Sequence, residues 1–206
     1  MGFTVKQGEV GGFDPVAEGA HMAVCSGVID LGHQFNAKFN KWGRKALFQF
    51  QLADEMYEKD GVKERRVISK RVGVSFHPKA TMLQFLQAWR GKALTAKELN
   101  EGFDLKACLG AAALLNIVHQ EKTGGGKFAN IASIMPVPKG TEKPKMQGEF
   151  TWFSWEESAK GEDIETLPEW IQKILMESRE YKSQFEPVGK NQEPTEAAAE
   201  PEEEEF

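Results

Sequence analysis

Two stretches decide the fold: Phe39-Asn-Lys-Trp-Gly-Arg-Lys-Ala-Leu-Phe-Gln-Phe-Gln-Leu52 and Lys63-Glu-Arg-Arg-Val-Ile-Ser-Lys-Arg-Val-Gly-Val-Ser-Phe76. Each opens on cations and continues as an alternation of apolar and polar residues. A polar connector holding Asp60-Gly61 separates them. That is the pattern of two neighbouring strands with one buried and one wet face. Ala46, Phe48, Phe50 and Leu52 share the face expected in the core, which turns Lys45 and Gln49 outward. In the second stretch Ile68, Val72, Val74 and Phe76 are expected inside, and Val67, Ser69 and Arg71 outside. Lys70 falls on the inner side of this alternation, and a bulge there is one way to turn it out.

Eight cations punctuate the pair: Lys41, Arg44, Lys45, Lys63, Arg65, Arg66, Lys70 and Arg71. Phe39, Trp42, Phe48, Phe50 and Phe76 lie among them. Any single lysine of this set reads as an ordinary solvated charge. Eight on two adjoining strands repel one another unless a polyanion is at hand. Cations that follow a phosphate backbone, beside rings that stack on bases, are what a single-strand nucleic-acid groove needs. Trp42, beside the loop that precedes the second strand, is the foremost candidate for base stacking.

Working outward, residues 1–19 are rich in glycine and small residues and read as an irregular arm. Ala20 to Leu31 alternates weakly and reads as a first strand, with Gly32 to Asn40 as the following loop. His77-Pro78 ends the third strand, because proline cannot donate to a sheet ladder. Met82, Leu83, Phe85, Leu86 and Trp89 recur at helical spacing, a core stripe rather than a binding surface, and Gly91 is a natural C-cap. Thr95-Ala-Lys-Glu98 is a capping box that opens a second helix, ending near Gly102. Ala112 to Gln120 and Phe128 to Val137 read as two more strands, the last stopped by Pro136 and Pro138. The loop between them holds Gly124-Gly-Gly126 flanked by Lys122, Lys127 and Phe128. It lacks the spacing and the Lys-Ser/Thr of a phosphate-binding loop. It is either a plain hairpin turn or a loop that closes over a bound strand.

Three strands, helices, then two strands is the order of the OB-fold, a five-stranded barrel with a helical connection between its third and fourth strands. Its strand 2–3 face and its 1–2 and 4–5 loops bind oligonucleotides. The fold class expected is therefore mainly β, an OB barrel over residues 20–140. Residues 141–185 form an extension. It contains the aromatic patch Phe150-Thr-Trp-Phe-Ser-Trp155 and one amphipathic helix from Pro168 to Tyr181, with Trp170, Ile171, Ile174 and Leu175 on its apolar side. Trp152 and Trp155 read as a cap on the barrel or a dimer contact rather than as a binding platform. Residues 186–206 are rich in Pro, Glu and Ala, cannot bury a core, and are expected to be disordered.

Charge divides the chain. Residues 1–155 carry 21 Lys and Arg against 15 Asp and Glu, a balance of +6, whereas residues 156–206 carry 5 against 16, a balance of −11. A cationic body that meets a polyanion and a separate acidic segment fit that division. The segment ends Glu202-Glu203-Glu204-Glu205-Phe206. A ring beside the terminal carboxylate, on an acidic tether, suits capture by a basic pocket with an apolar hole. It also suits a return to the cationic groove.

Other classes find little support. No run reaches membrane-spanning length, and the N-terminus has no charged region followed by an apolar one. Cys25 and Cys108 each sit in apolar context and read as buried free thiols. The four histidines show no ligand spacing, so no metal or cofactor is expected. No paired carboxylates or nucleophile–base order stand out, so no catalysis is expected either.

With these segments in place, the chain resembles the single-stranded DNA-binding proteins of bacteriophages. The resemblance rests on Ser69-Lys-Arg-Val, Ala88-Trp-Arg-Gly-Lys92, Phe128-Ala-Asn-Ile-Ala-Ser133 with Pro136-Val-Pro-Lys-Gly140, and the tail Glu202 to Phe206, which bacterial single-strand binding proteins also share. It covers roughly residues 15–140 and the tail; residues 141–185 match nothing in it. It implies sequence-independent coating of single strands in phage replication or recombination, in the host cytoplasm. It also implies a tail that contacts replication or recombination proteins, and it is compatible with a homodimer. The residues expected to touch the nucleic acid are Phe39, Lys41, Trp42, Arg44, Lys45, Arg65, Arg66, Lys70, Arg71, Lys122, Lys127 and Phe128. A non-catalytic adaptor, whose barrel binds a protein and whose tail recruits an enzyme, is the alternative.

Overall fold

A computed structural model describes residues 14–59, 61–121, 125–157 and 161–185. Residues 1–13 of the arm, Asp60, Lys122 and the tail with Glu202 to Phe206 lie outside them. The chain forms a mainly-β molecule. Strands β1 (Gly19–Asn36), β2 (Lys41–Lys59) and β3 (Val62–Gly73) make an antiparallel meander, and β4 (Ala112–Glu121) and β5 (Lys127–Met135) a hairpin. The order β3-β2-β1-β4-β5 curls into an antiparallel half-barrel. Its two ends approach each other where the Lys70 amine of β3 donates to the Ile131 carbonyl of β5. Helix α1 (Thr81–Arg90) packs against both of these strands.

Alternation in β2 builds the core as the sequence predicts. Ala46, Phe48, Phe50 and Leu52 are fully buried, and Phe85 and Trp89 of α1 close on them. Phe48 lies 5.1 Å from Phe85, and Phe50 lies 5.2 Å from Trp89, ring centre to ring centre. Burying each such ring stabilises the fold by roughly 1.5–3 kcal/mol. Gly91 ends α1 in the left-handed conformation that a side chain resists, φ 67°. The capping box of α2 (Ala96–Glu101) forms as read: Thr95 Oγ1 accepts from the Glu98 amide, and the Glu98 carboxylate accepts from the Thr95 amide at 2.7 Å.

The strands differ from the sequence reading in length. β1 runs on to Asn36, through residues expected in a loop. Its register shifts between Asp30 and His33, and Gly32 absorbs the irregularity at φ +67°. β2 continues to Lys59, so that β2 and β3 extend as a hairpin to the turn at Gly61. β3 stops at Gly73, and Val74, expected inside, is exposed.

Residues 151–157 and 161–185 cover the other side of the sheet. β6 (Thr151–Phe153) pairs in parallel with Gly27 to Ile29 of β1, on the edge where β4 pairs with Gly19 to Val24. Beyond it lie α3 (Gly161–Glu165), α4 (Glu169–Met176) and α5 (Arg179–Phe185). A second core results: Ile29, Leu31 and Leu47 meet Phe153, Trp155, Ile164, Leu167, Ile171 and Leu175. Where one helix was expected from Pro168 to Tyr181, there are two. The buried Ser178 hydroxyl donates to the Leu175 carbonyl and accepts from the Tyr181 amide, ending α4 and capping α5.

Candidate nucleic-acid interface

The outward face of β2 and β3 was expected to be an open cationic ribbon. Pairing sets Lys45 opposite Gly73, Leu47 opposite Arg71, Gln49 opposite Ser69 and Gln51 opposite Val67. On β2 most of this face is covered. Leu47 is buried beneath the second core. Gln51 is buried because its side-chain amide exchanges two hydrogen bonds of 2.9 Å with the backbone of Gln147. Gln49 lies over Gly27 of β1, where any Cβ would strike its side-chain amide. Arg65 donates to the Lys145 carbonyl at 2.9 Å, so residues 145–151 cross the sheet as a strap. The open part of the face belongs to β3: Val67, Arg71 and Gly73 are exposed and Ser69 and Lys45 half-buried.

Besides Arg65, two more of the expected phosphate contacts are engaged within the protein. Lys70 is not at a bulge, since the pairing runs without interruption from Lys45–Gly73 to Gln51–Val67. Its side chain lies on the inner face and bridges to β5, where burial lowers its pKa from the ordinary value. Arg44 donates to Asp30 at 2.5 Å and to Glu156 at 3.3 Å; its hydrogen bond with Asp30 raises its already high pKa. Two carboxylates therefore offset that guanidinium.

At the β1–β2 turn the arrangement is more open. Phe39 is 62% exposed, with the Lys38 amine 5.5 Å from its ring centre, and Lys41 is exposed beside it. Trp42 pairs across the hairpin with Phe35, the rings 5.4 Å apart, and the Arg179 guanidinium stands 5.7 Å from the Trp42 ring. Gln34, Phe35, Trp42, Glu177 and Lys182 line a cleft of about 420 Å³ here. Phe35 and the two cations of α5 escaped the sequence reading. Phe35 was placed in a loop, where its pairing with Trp42 is invisible, and Arg179 and Lys182 lie more than 130 residues further along the chain.

Lys127 and Phe128 are exposed at the start of β5, after Gly125 and Gly126, both at positive φ. They pair with Glu121 and Gln120 at the far end of β4. Register places them toward the N-terminal end of β1, together with Arg65 and Arg66, whereas Phe39, Lys41 and Trp42 stand at its C-terminal end. The expected residues thus fall into two groups, joined by the open strip of β3.

No group of three His, Cys, Asp or Glu side chains able to hold a metal occurs among the described residues, and none of their helices is long and apolar enough to cross a membrane. Comparison with protein-family models and with curated proteins returns no match.

Proposed function

We propose that this is a non-catalytic single-stranded DNA-binding protein of the OB type, which coats unpaired strands without reading their sequence. Strand order and the helices between the third and fourth strands support the OB reading. One observation carries the function: an aromatic pair, exposed Phe35 and half-buried Trp42, stands among Lys38, Lys41 and Arg179 and leads onto the open, Arg71-bearing strip of β3. Rings stack on any base and cations follow any phosphate, so the combination suits affinity without sequence preference. The setting proposed is phage replication or recombination, with the acidic tail meeting proteins of that machinery.

The test is a titration of labelled oligo-dT and of duplex at low salt. The single strand is expected to bind far more tightly than the duplex. Trp42→Ala is expected to weaken it about 5- to 150-fold, the loss of one stacked base at roughly 1–3 kcal/mol. Absence of single-strand binding at low salt, with and without residues 186–206, rejects the reading.

A further inference from the structure

We propose that Trp170 and Arg66 form a second base-binding station, on the wall that α4 raises beside β3. The inference rests on the single-strand reading above and extends its site onto α4 in the C-terminal segment. The apolar stripe of α4 is Ile171 and Leu175, both fully buried. Trp170 lies beside that stripe but is 45% exposed. Among the described residues no other aromatic ring and no cation stacks on it.

Trp170 borders a cleft of about 760 Å³ that Pro168, Arg66, Val67, Tyr57 and Val16 also line. Val67 is itself 48% exposed. Arg66 makes no hydrogen bond or ion pair among the described residues, in contrast with Arg44 and Arg65. The cleft therefore offers an aromatic face, an apolar floor and an uncompensated guanidinium. A nucleotide brings the matching parts: a base for the ring and a phosphate for the cation. Asp14, the one carboxylate among the described lining residues, repels a phosphate but accepts a hydrogen bond from a base N–H.

Position strengthens the assignment. Val67 is the first residue of the open strip, which continues through Ser69 and Arg71 to Gly73, opposite Lys45. The six steps from Val67 to Gly73 span about 20 Å. Trp42 lies three residues beyond Lys45, at the other end. A single strand laid along β3 thus meets an aromatic residue at each end and Arg71 between them, within the roughly 4–16 nucleotides that one OB domain occupies.

The experiment uses the full chain and a labelled oligo-dT of about 16 nucleotides, with folding of each variant checked by thermal melting. Trp170→Ala and Arg66→Ala are each expected to weaken binding about 5- to 50-fold, and Trp170→Phe to restore most of the loss, because a phenyl ring still stacks. If the unaltered protein binds and Trp42→Ala weakens it, while Trp170→Ala and Arg66→Ala stay within about two-fold, the second station is wrong and the single-strand reading stands. If the unaltered protein fails to bind at all, the reading itself fails and takes this inference with it. If Trp170→Ala leaves affinity intact but turns a dimer into a monomer in sedimentation, the cleft belongs to a second copy, and the inference is likewise overturned.

Discussion

Lys70 and Arg71 are consecutive cations with opposite surroundings, because successive side chains of a strand point to opposite faces. Lys70 lies inward and donates to the Ile131 carbonyl; Arg71 is exposed on the outer strip. Lys70→Met is expected to leave oligonucleotide affinity within about two-fold while shifting stability by about 1 kcal/mol, the scale of one hydrogen bond. Arg71→Ala is expected to do the reverse, lowering affinity and leaving the thermal midpoint nearly unchanged. Equal effects of the two on binding refute the assignment of faces. Parity of this kind was legible in the sequence for Ala46, Phe48, Phe50 and Leu52. It was misjudged at Lys70 because a lysine on an inner face looks like an error until its partner on β5, 61 residues away, is known. The cysteines were legible for a simpler reason, their apolar neighbours. Burial raises both thiol pKa values, that of Cys108 up to about 12, so neither forms thiolate near neutrality. A thiol reagent at pH 7 is therefore expected to modify neither until denaturant is added; rapid labelling of the native protein counts against the core as described.

Among the elements, β2 shows best what sequence patterning leaves out. Its inner face is written in its own alternation. The burial of Leu47 and Gln51 on its outer face depends on residues about a hundred positions later, which no local pattern reports. Leu47→Ala is expected to cost about 2–5 kcal/mol in a denaturant melt, as for any core leucine; a cost below about 1 kcal/mol, typical of surface sites, contradicts the second core. At the end of β1, Glu180 of α5 accepts from the His33 amide at 2.7 Å and from its ring nitrogen at 2.6 Å. Burial raises the Glu180 pKa, but the hydrogen bonds from His33 outweigh it and leave the carboxyl below its ordinary 4.5. A carboxyl lowered on folding stabilises the native state above its unfolded pKa, and that contribution fades as pH falls through the folded value. The thermal midpoint is therefore expected to drop below about pH 4.5, and Glu180→Gln to reduce the part of that drop which this contact supplies. An unchanged acid profile in the variant argues against the anchor. The prediction of one helix from Pro168 to Tyr181 followed its apolar spacing, which says nothing of Ser178 hydrogen-bonding its own backbone.

For the molecule as a whole, the charge division frames the account. A body of +6 carries the cations and a C-terminal part of −11 most of the acid, but the fold does not spread those cations into one ribbon. It neutralises Arg44, turns Lys70 inward and lays a strap over β2. That leaves Lys41, Lys45 and Arg71 along an open path with Trp42 at one end and Trp170 near the other. The most direct measurement is the salt dependence of oligo-dT affinity for the unaltered protein and for the triple variant Lys41→Ala, Lys45→Ala, Arg71→Ala. Each phosphate contact contributes about 0.7 to the slope of log affinity against log salt for a single strand. The account expects the triple variant to lose about 2 from that slope. A slope equal to that of the unaltered protein, or affinity that does not respond to salt in either, contradicts it.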